Sequence, residues 1–431
     1  MKLYEFQNKV LEETKGKNHV AYYLEMGLGK TFVGSEKLMQ LNASTNLIIC
    51  QKSKINDWIE HLKENYGGFI YDLTNKKEFE QFYLRLSSYK SSLSDKLYPT
   101  GKPMMIGVIN YELAFRRKEL MELRNFTLML DESSMIQNEK AKRTKFILSL
   151  NAENVILLSG TPVGGKYENL WSQCRLLGWY INKTEFWNRY IKTRMIDVNG
   201  FSLPIVVGYT NIRDLKDNLR LHGAVFLKSS EVLDLPEQVD IKQYVESTKE
   251  YKSFKKNAII EIEDETLVGD NILKKMLYER QLCGEYNENK LNALKEIMES
   301  TNNRLIIFYN FTKEKDLIVS LCKKLNKSYS IINGEIKDLT AYETNEDSVT
   351  IVQYQAGAMG LNLQKANKII YFTLPLSSEL FEQSKKRIHR IGQVDTCFYY
   401  YLLAKGTIEE SIYKTLLMRK DYTNELYRKE N

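Results

Sequence analysis

The sequence predicts an α/β protein built as two parallel-sheet lobes with helical insertions between them. Three observations carry that expectation. Short β-rich runs alternate with helical patterns over residues 19–161, the alternation stops over residues 163–287, and it resumes from residue 304. Strand–helix alternation builds a parallel sheet covered by helices on both faces.

The expected strands of the first lobe are Val20–Leu24, Asn46–Cys50, Gly68–Leu73, Met104–Asn110, Phe126–Asp131 and Val155–Ser159. Helical patterns lie between them, among them Lys30–Leu41, Lys54–Asn65 and Tyr111–Leu123. From Val163 to Asn287 the text is mostly helical and charged, with Trp171, Trp179 and Trp187 as packing anchors. The second lobe's strands are Arg304–Tyr309, Tyr329–Ile332, Val349–Gln353, Lys368–Thr373 and Phe398–Leu403. The aromatic run Phe398–Tyr401 reads as a buried strand before it reads as a base-stacking platform. Expected boundaries are residues 1–165, 166–287 and 288–431.

Composition narrows the class. A length of 431 residues suggests two to four domains, at roughly 150 residues each. Hydrophobic and charged fractions of 43% and 27% fit a globular protein with real cores. No apolar run approaches the ~18 residues that span a bilayer, and Met1–Glu5 begins no signal-peptide core. A cytoplasmic protein without a membrane partner is expected. Five scattered cysteines read as reduced intracellular thiols, and with four histidines no zinc site is visible. A net charge of +7 permits a polyanionic partner without demanding one. Many lysines and six prolines suggest an AT-rich genome, bacterial or phage.

The most informative segment is Glu-Met-Gly-Leu-Gly-Lys-Thr at residues 25–31, directly after a strand. Gly27 and Gly29 can take backbone angles closed to other residues, so successive N–H groups around Leu28 converge on an anion. The helix starting near Lys30 adds its positive end. Lys30 can reach the β- and γ-phosphates, and the Thr31 hydroxyl can bind Mg²⁺. The full G-x-x-x-x-G-K-[ST] pattern has Gly where this chain has Leu24. An acidic partner follows at the end of Phe126–Asp131: Asp131 to hold Mg²⁺, Glu132 to orient and deprotonate an attacking water. Ser159-Gly160-Thr161-Pro162 closes the last strand of the lobe, where small hydroxyls can sense a γ-phosphate; standing alone it is a turn signal. Arg387 and Arg390 are three apart, hence on one face of a helix. Two guanidinium groups there suit an arginine-finger role, but a basic solvated face is the plainer reading of that run.

Together these segments resemble superfamily 2 helicases, and within them the Swi/Snf-like DNA-dependent ATPases. The resemblance is carried by residues 25–31, by L-I-I-C-Q-K-S-K-I-N-D-W at 47–58, D-E-S-S-M-I-Q-N at 131–138 and L-S-G-T-P-V at 158–163. It continues through E-N-L-W at 168–171, L-I-I-F-Y-N-F at 305–311, A-G-A-M-G-L-N-L at 356–363, Q-x-x-x-R-x-H-R-I-G-Q at 383–393 and K-G-T-I-E-E at 405–410. It covers almost the whole chain in the family's order.

The resemblance implies two RecA-like lobes with ATP and Mg²⁺ between them. Gln7 is implied as the adenine-reading glutamine, with Gly360, Arg387 and Arg390 completing the site from the second lobe. The implied nucleic-acid contacts are Gln51, Lys52, Ser53 and Lys54; Asn110, Tyr111 and Glu112; Tyr309, Asn310 and Phe311; and Gln355 to Gly357. Contacts to the backbone of mainly one strand imply sequence-independent, salt-sensitive binding. Ser134 stands where the family usually has His, Gln51 replaces a frequent Pro, and Gln355 replaces a frequent Arg. The expected protein is a monomeric, bare motor of the stand-alone phage or bacterial kind, translocating on duplex DNA in replication, recombination or repair, with replication or recombination proteins as its expected partners. The alternatives weighed are a strand-separating or annealing helicase, an RNA remodeller and a nucleotide-gated scaffold.

Overall fold

The computed structural model describes residues 2–90, 103–198, 201–262, 265–357 and 361–427. Contacts divide the chain into a first unit over Met1–Val232 and a second over Leu233–Asp421. The first unit contains β1 (His19–Leu24), β2 (Thr45–Cys50), β3 (Phe69–Asp72), β4 (Met105–Asn110), β5 (Phe126–Asp131), β6 (Asn154–Ser159), β7 (Ile191–Val198), β8 (Phe201–Tyr209) and β9 (Ala224–Leu227). Seven of them form one sheet in the order β3-β4-β2-β5-β6-β1-β9, and every pairing is parallel. The remaining two, β7 and β8, make a separate antiparallel hairpin.

Register sets the functional edge. Tyr23 pairs with Ser159, Asp131 with Leu158, and Cys50 with Asn110. The carboxyl ends of β1, β2, β4, β5 and β6 therefore share one rim, where open α/β sheets bind ligands. Strand side chains alternate between faces, and in β1 and β2 both faces are buried, as a sheet covered on both sides requires.

The second unit contains β10 (Gln238–Val245), β11 (Ile259–Ile262), β12 (Glu265–Val268), β13 (Leu305–Tyr309), β14 (Ser328–Ile332), β15 (Ser348–Gln353), β16 (Lys368–Tyr371) and β17 (Cys397–Ala404). Its sheet runs β10-β17-β16-β13-β15-β14, again parallel throughout. Leu305, Ile307 and Tyr309 enter one apolar cluster; Ile306 and Phe308, the intervening residues, enter the other. Tyr399 and Tyr401 are buried in β17, so that aromatic run is core. Among the described residues no helix is long and apolar enough to cross a membrane.

The stretch read as mostly helical differs from expectation. Among its described residues it holds six strands, β7 to β12, of which β9 extends the first sheet and β10 the second. At four residues, β9 is too short to show a period, and β10 is an edge strand with exposed positions at every second residue, so its text looks polar. The predicted helix Tyr111–Leu123 is instead a single turn, Tyr111–Ala114, followed by a 3₁₀ turn, Lys118–Glu122.

All five cysteines are buried free thiols. Burial raises each of them, Cys322 to about 12 and Cys397 to about 11. Lys290 and Lys385, both buried in the second unit, are ion-paired. Lys290 meets Glu409 at 2.5 Å, and Lys385 meets Asp240 at 2.6 Å, where the Tyr401 hydroxyl also donates at 2.6 Å.

Glu314 is a buried carboxyl that caps the helix Thr312–Lys324. Its Oε2 accepts from the N–H groups of Asn310 (2.8 Å) and Phe311 (3.1 Å) and from Thr373 Oγ1 (2.9 Å). A Cβ at Gly284 would run into its other oxygen, so only glycine fits there. Burial raises the Glu314 carboxyl to about 7. A folded-state pKa above the unfolded value stabilises the fold at low pH, and that contribution is lost as pH rises toward the folded value. Urea midpoints should therefore fall between about pH 5 and about pH 8, and Glu314→Gln should flatten that dependence.

Candidate functional site

Strand β1, between β6 and β9 in the first sheet, ends at Leu24, and the chain turns through residues 25–29 into the helix Lys30–Leu41. Gly29, at the helix N-cap, is left-handed (φ 70°, ψ 42°), and Gly27 also has positive φ. The turn therefore presents the helix N-terminus, with its partial positive charge, at the sheet rim. Lys30 Nζ donates to the carbonyl of Leu24 at 3.1 Å, the residue standing where the phosphate-loop pattern has glycine. Thr31 sits half-buried in the first helical turn. Gln7 is buried against this loop: its Nε2 donates to Leu28 O at 3.1 Å, and its Oε1 accepts from Tyr4 N–H at 2.9 Å. Any side chain at Gly29 would collide with the Gln7 amide. Glu25 accepts from the Ser229 N–H at 2.8 Å and from its hydroxyl, tying the loop to the chain after β9.

The carboxylate pair stands at the end of β5. Asp131 Oδ2 accepts from Trp58 Nε1 at 2.8 Å. Glu132 is left-handed (φ 59°, ψ 63°), a conformation that costs a non-glycine residue about 1–3 kcal/mol. Tyr111 holds that backbone in place, its hydroxyl donating to Asp131 O (3.0 Å) and Glu132 O (3.3 Å). Glu132 Oε1 accepts from Ser159 Oγ at 2.6 Å and from Ser134 Oγ at 3.1 Å, and Thr161 N–H donates to Ser159 Oγ at 3.1 Å. Ser134 thus grips the glutamate directly.

Burial raises the Asp131 carboxyl, opposed chiefly by the Trp58 hydrogen bond. Burial likewise raises Glu132, opposed first by the Lys30 charge and then by Ser159. Two desolvated acids beside a lysine, and Thr161 Oγ1 buried without a hydrogen-bond partner, are a donor set that fits a nucleotide triphosphate and a divalent cation. Thr31 and Asp131 are the residues that would hold the cation, which when bound neutralises charge on the β- and γ-phosphates.

The other expected contacts separate into two groups. Gln51 to Lys54 form a 3₁₀ turn at the end of β2, with Lys52 and Ser53 exposed. Gln355 is exposed just past β15, and Gly357 ends the short helix Tyr354–Gly357. By contrast, Tyr111 and Tyr309 are buried, and their side chains are not available to a nucleic-acid backbone. Asn110 is buried, and its amide is engaged by Glu112 at 2.9 Å. Asn310 donates to Thr373 Oγ1 at 2.9 Å and Leu374 O at 3.1 Å. Gly360 lies outside the described residues.

Arg387 and Arg390 do not share a helix face, because the helix Ser378–Lys385 ends before them. Arg387 N–H turns back to Ser384 O at 3.2 Å. Gln393 then pins the loop, its Nε2 donating to Ala366 O at 2.8 Å and Gln364 O at 3.2 Å. His389 Nε2 pairs with Pro236 O at 2.9 Å. Lys385, Arg387 and His389 are all buried, so the run is no solvated basic face. Burial lowers the Arg390 guanidinium, and its Nη1 lies 3.5 Å from Leu361 O.

The first unit thus has the architecture of a phosphate-binding α/β lobe, and the second repeats the parallel-sheet plan. The chain belongs to the SNF2-related family: residues 23–288 match the SNF2-related domain, and residues 289–392 match the helicase conserved C-terminal domain. It is 25% identical over 419 residues to an uncharacterised ATP-dependent helicase of Mycoplasma genitalium, a match covering 90% of this chain and 38% of that protein. It is 24% identical over 478 residues to a DNA repair and recombination protein RAD54-like of Gallus gallus, covering 92% and 62%. The chain therefore spans between about two fifths and three fifths of these relatives' length. A Sulfolobus solfataricus SWI2/SNF2 ATPase core in complex with dsDNA matches at TM-score 0.44 and 20% identity, covering 98% of this chain and 92% of that one.

Two measurements follow from the site geometry. Gly29→Ala should weaken ATP binding by about tenfold or more, because it strains a left-handed position and displaces Gln7. Because Glu132 is raised, its proton-accepting form is lost as pH falls through a value above the ordinary ~4.3 of glutamate. Ser159→Ala removes a hydrogen bond that favours the carboxylate, so the acid limb of the turnover profile should move to higher pH.

Proposed function

We propose that the protein is a DNA-dependent ATPase that couples ATP hydrolysis to translocation along double-stranded DNA. The observation that carries the reading is the shared rim of the first sheet. There the glycine loop and Lys30, the Asp131–Glu132 pair and the Gln51–Lys54 turn, with Lys52 and Ser53 exposed, stand at the carboxyl ends of strands of one sheet. Hydrolysis beside a backbone-contacting turn is the coupling a motor needs.

In this reading the glycine loop and helix N-terminus bind the phosphates, and Lys30 leaves the Leu24 carbonyl for the β- and γ-oxygens. Glu132, held by Ser134 and Ser159, orients water and takes its proton. Gln7 reads the adenine, and Arg387 and Arg390 promote departure of the γ-phosphate. Lobe assignments follow the same reading: nucleotide binding in residues 1–165, insertions over 166–287 and the helicase C-terminal lobe over 288–431. The likeness to the DNA repair and recombination protein RAD54-like of Gallus gallus supports recombination or repair as the process.

Steady-state ATPase rates with no nucleic acid, duplex DNA, single-stranded DNA and RNA test the reading. Strong stimulation by duplex DNA, absent in Lys30→Ala, is expected, together with displacement of a triplex-forming strand. Stimulation mainly by single strands, with release of a labelled strand from a fork, would instead indicate a strand-separating helicase. Arg387→Ala and Arg390→Ala should each cut turnover while sparing ATP binding. Loss of nucleotide binding in either would remove that residue from the finger role.

A further inference from the structure

Three segments of the site converge on a residue that none of the motif spacings singled out. Gln173 lies in the helix Trp171–Leu176 and is fully buried. Its Oε1 accepts from Ser133 Oγ at 2.7 Å and from the Tyr23 hydroxyl at 3.0 Å. Its Nε2 donates to Pro162 O at 2.9 Å. Each partner is next to a residue of the proposed machinery. Tyr23 precedes Leu24, whose carbonyl holds Lys30; Ser133 follows the left-handed Glu132; Pro162 follows Thr161, whose N–H binds Ser159.

The amide is the group these partners demand. The Pro162 carbonyl can only accept, which requires a donor, while the two hydroxyls facing the other end can both donate. A carboxylate would face Pro162 O with no proton, and an aliphatic side chain would leave two hydroxyls and a carbonyl buried without partners. The hydrogen-bond pattern also fixes the amide's orientation, since a flipped amide would set its oxygen against the carbonyl.

We propose that Gln173 is a positioning residue of the hydrolytic site. It locks the Asp131–Ser134 turn and the Ser159–Pro162 turn to the strand that feeds the phosphate loop. The proposal rests on the assignment of Glu132 as the base. Tyr111 holds the Glu132 backbone on the β4 side, and Gln173 holds it through Ser133 on the β6 side. The glutamate then meets the hydroxyls of Ser134 and Ser159 in one geometry.

The test uses the full chain with saturating duplex DNA. Gln173→Met should lower kcat by about 10- to 100-fold, the loss expected when a catalytic group moves by around an ångström. ATP affinity, read with a fluorescent analogue, should stay within about twofold, because the phosphate loop is untouched. A fall in kcat with ATP affinity kept is the split that a positioning role predicts and a general loss of packing does not. An unchanged kcat in folded Gln173→Met protein would overturn the proposal and leave the residue a packing role. If that variant does not fold, Ser133→Ala and Tyr23→Phe each remove a single arm; lowered kcat with ATP affinity kept supports the proposal, and wild-type behaviour in both overturns it. Glu132→Gln run in parallel separates the two levels. Turnover lost there with Gln173→Met unaffected overturns the positioning role alone, and turnover retained there overturns the hydrolytic reading beneath it.

Discussion

A parallel strand is hydrogen-bonded on both sides along its length, so it can offer groups to a ligand only where the ladder stops. That constraint organises both units. In the first, the ladder stops at Leu24, Cys50, Asp131 and Ser159, and the glycine loop, the Gln51–Lys54 turn, Glu132 and the Ser159–Pro162 turn follow. In the second, it stops at Tyr309 and Gln353, with Asn310 and Gln355 just beyond. The apolar text of the strands thus does two jobs: it builds the core, and it decides where chemistry can stand.

Beyond the rim, polar side chains replace water as the solvent of the acids. Trp58 and Lys30 offset part of the desolvation of Asp131, and Ser134, Ser159 and Lys30 part of that of Glu132. What remains leaves both carboxyls more basic than in water, in keeping with the proton acceptor proposed for Glu132. The left-handed Glu132 is strained in isolation, and the Tyr111 and Ser133 contacts that flank it show how the surroundings sustain it.

Local chemistry made much of this legible from the sequence. The phosphate loop, the helix Lys30–Leu41 with its bounds, and the carboxylates after β5 depend on neighbours in the chain, and glycine and strand patterns report such neighbours. The supports were not legible, because their partners are distant. Trp58 reaches Asp131 across 73 residues, and Gln173 reaches Tyr23 across 150. Trp58 closes the segment at 47–58, whereas nothing in the pattern marks Gln173. The spacing of Arg387 and Arg390 misled, because three residues share a face only if the helix continues, and here it ends at Lys385. Short β9 and edge strand β10 escaped notice because pairing with a distant sheet, rather than intrinsic preference, makes them strands.

The buried thiols have a consequence of their own. Cys50 and Cys174 belong to the first unit, and Cys283, Cys322 and Cys397 to the second, and none offers its sulfur to solvent in the folded state. Alkylation by a small reagent must await an opening of the surrounding core, so each cysteine acts as a clock for its own unit. The chain thus carries, without any added label, a separate chemical record of how often each half breathes.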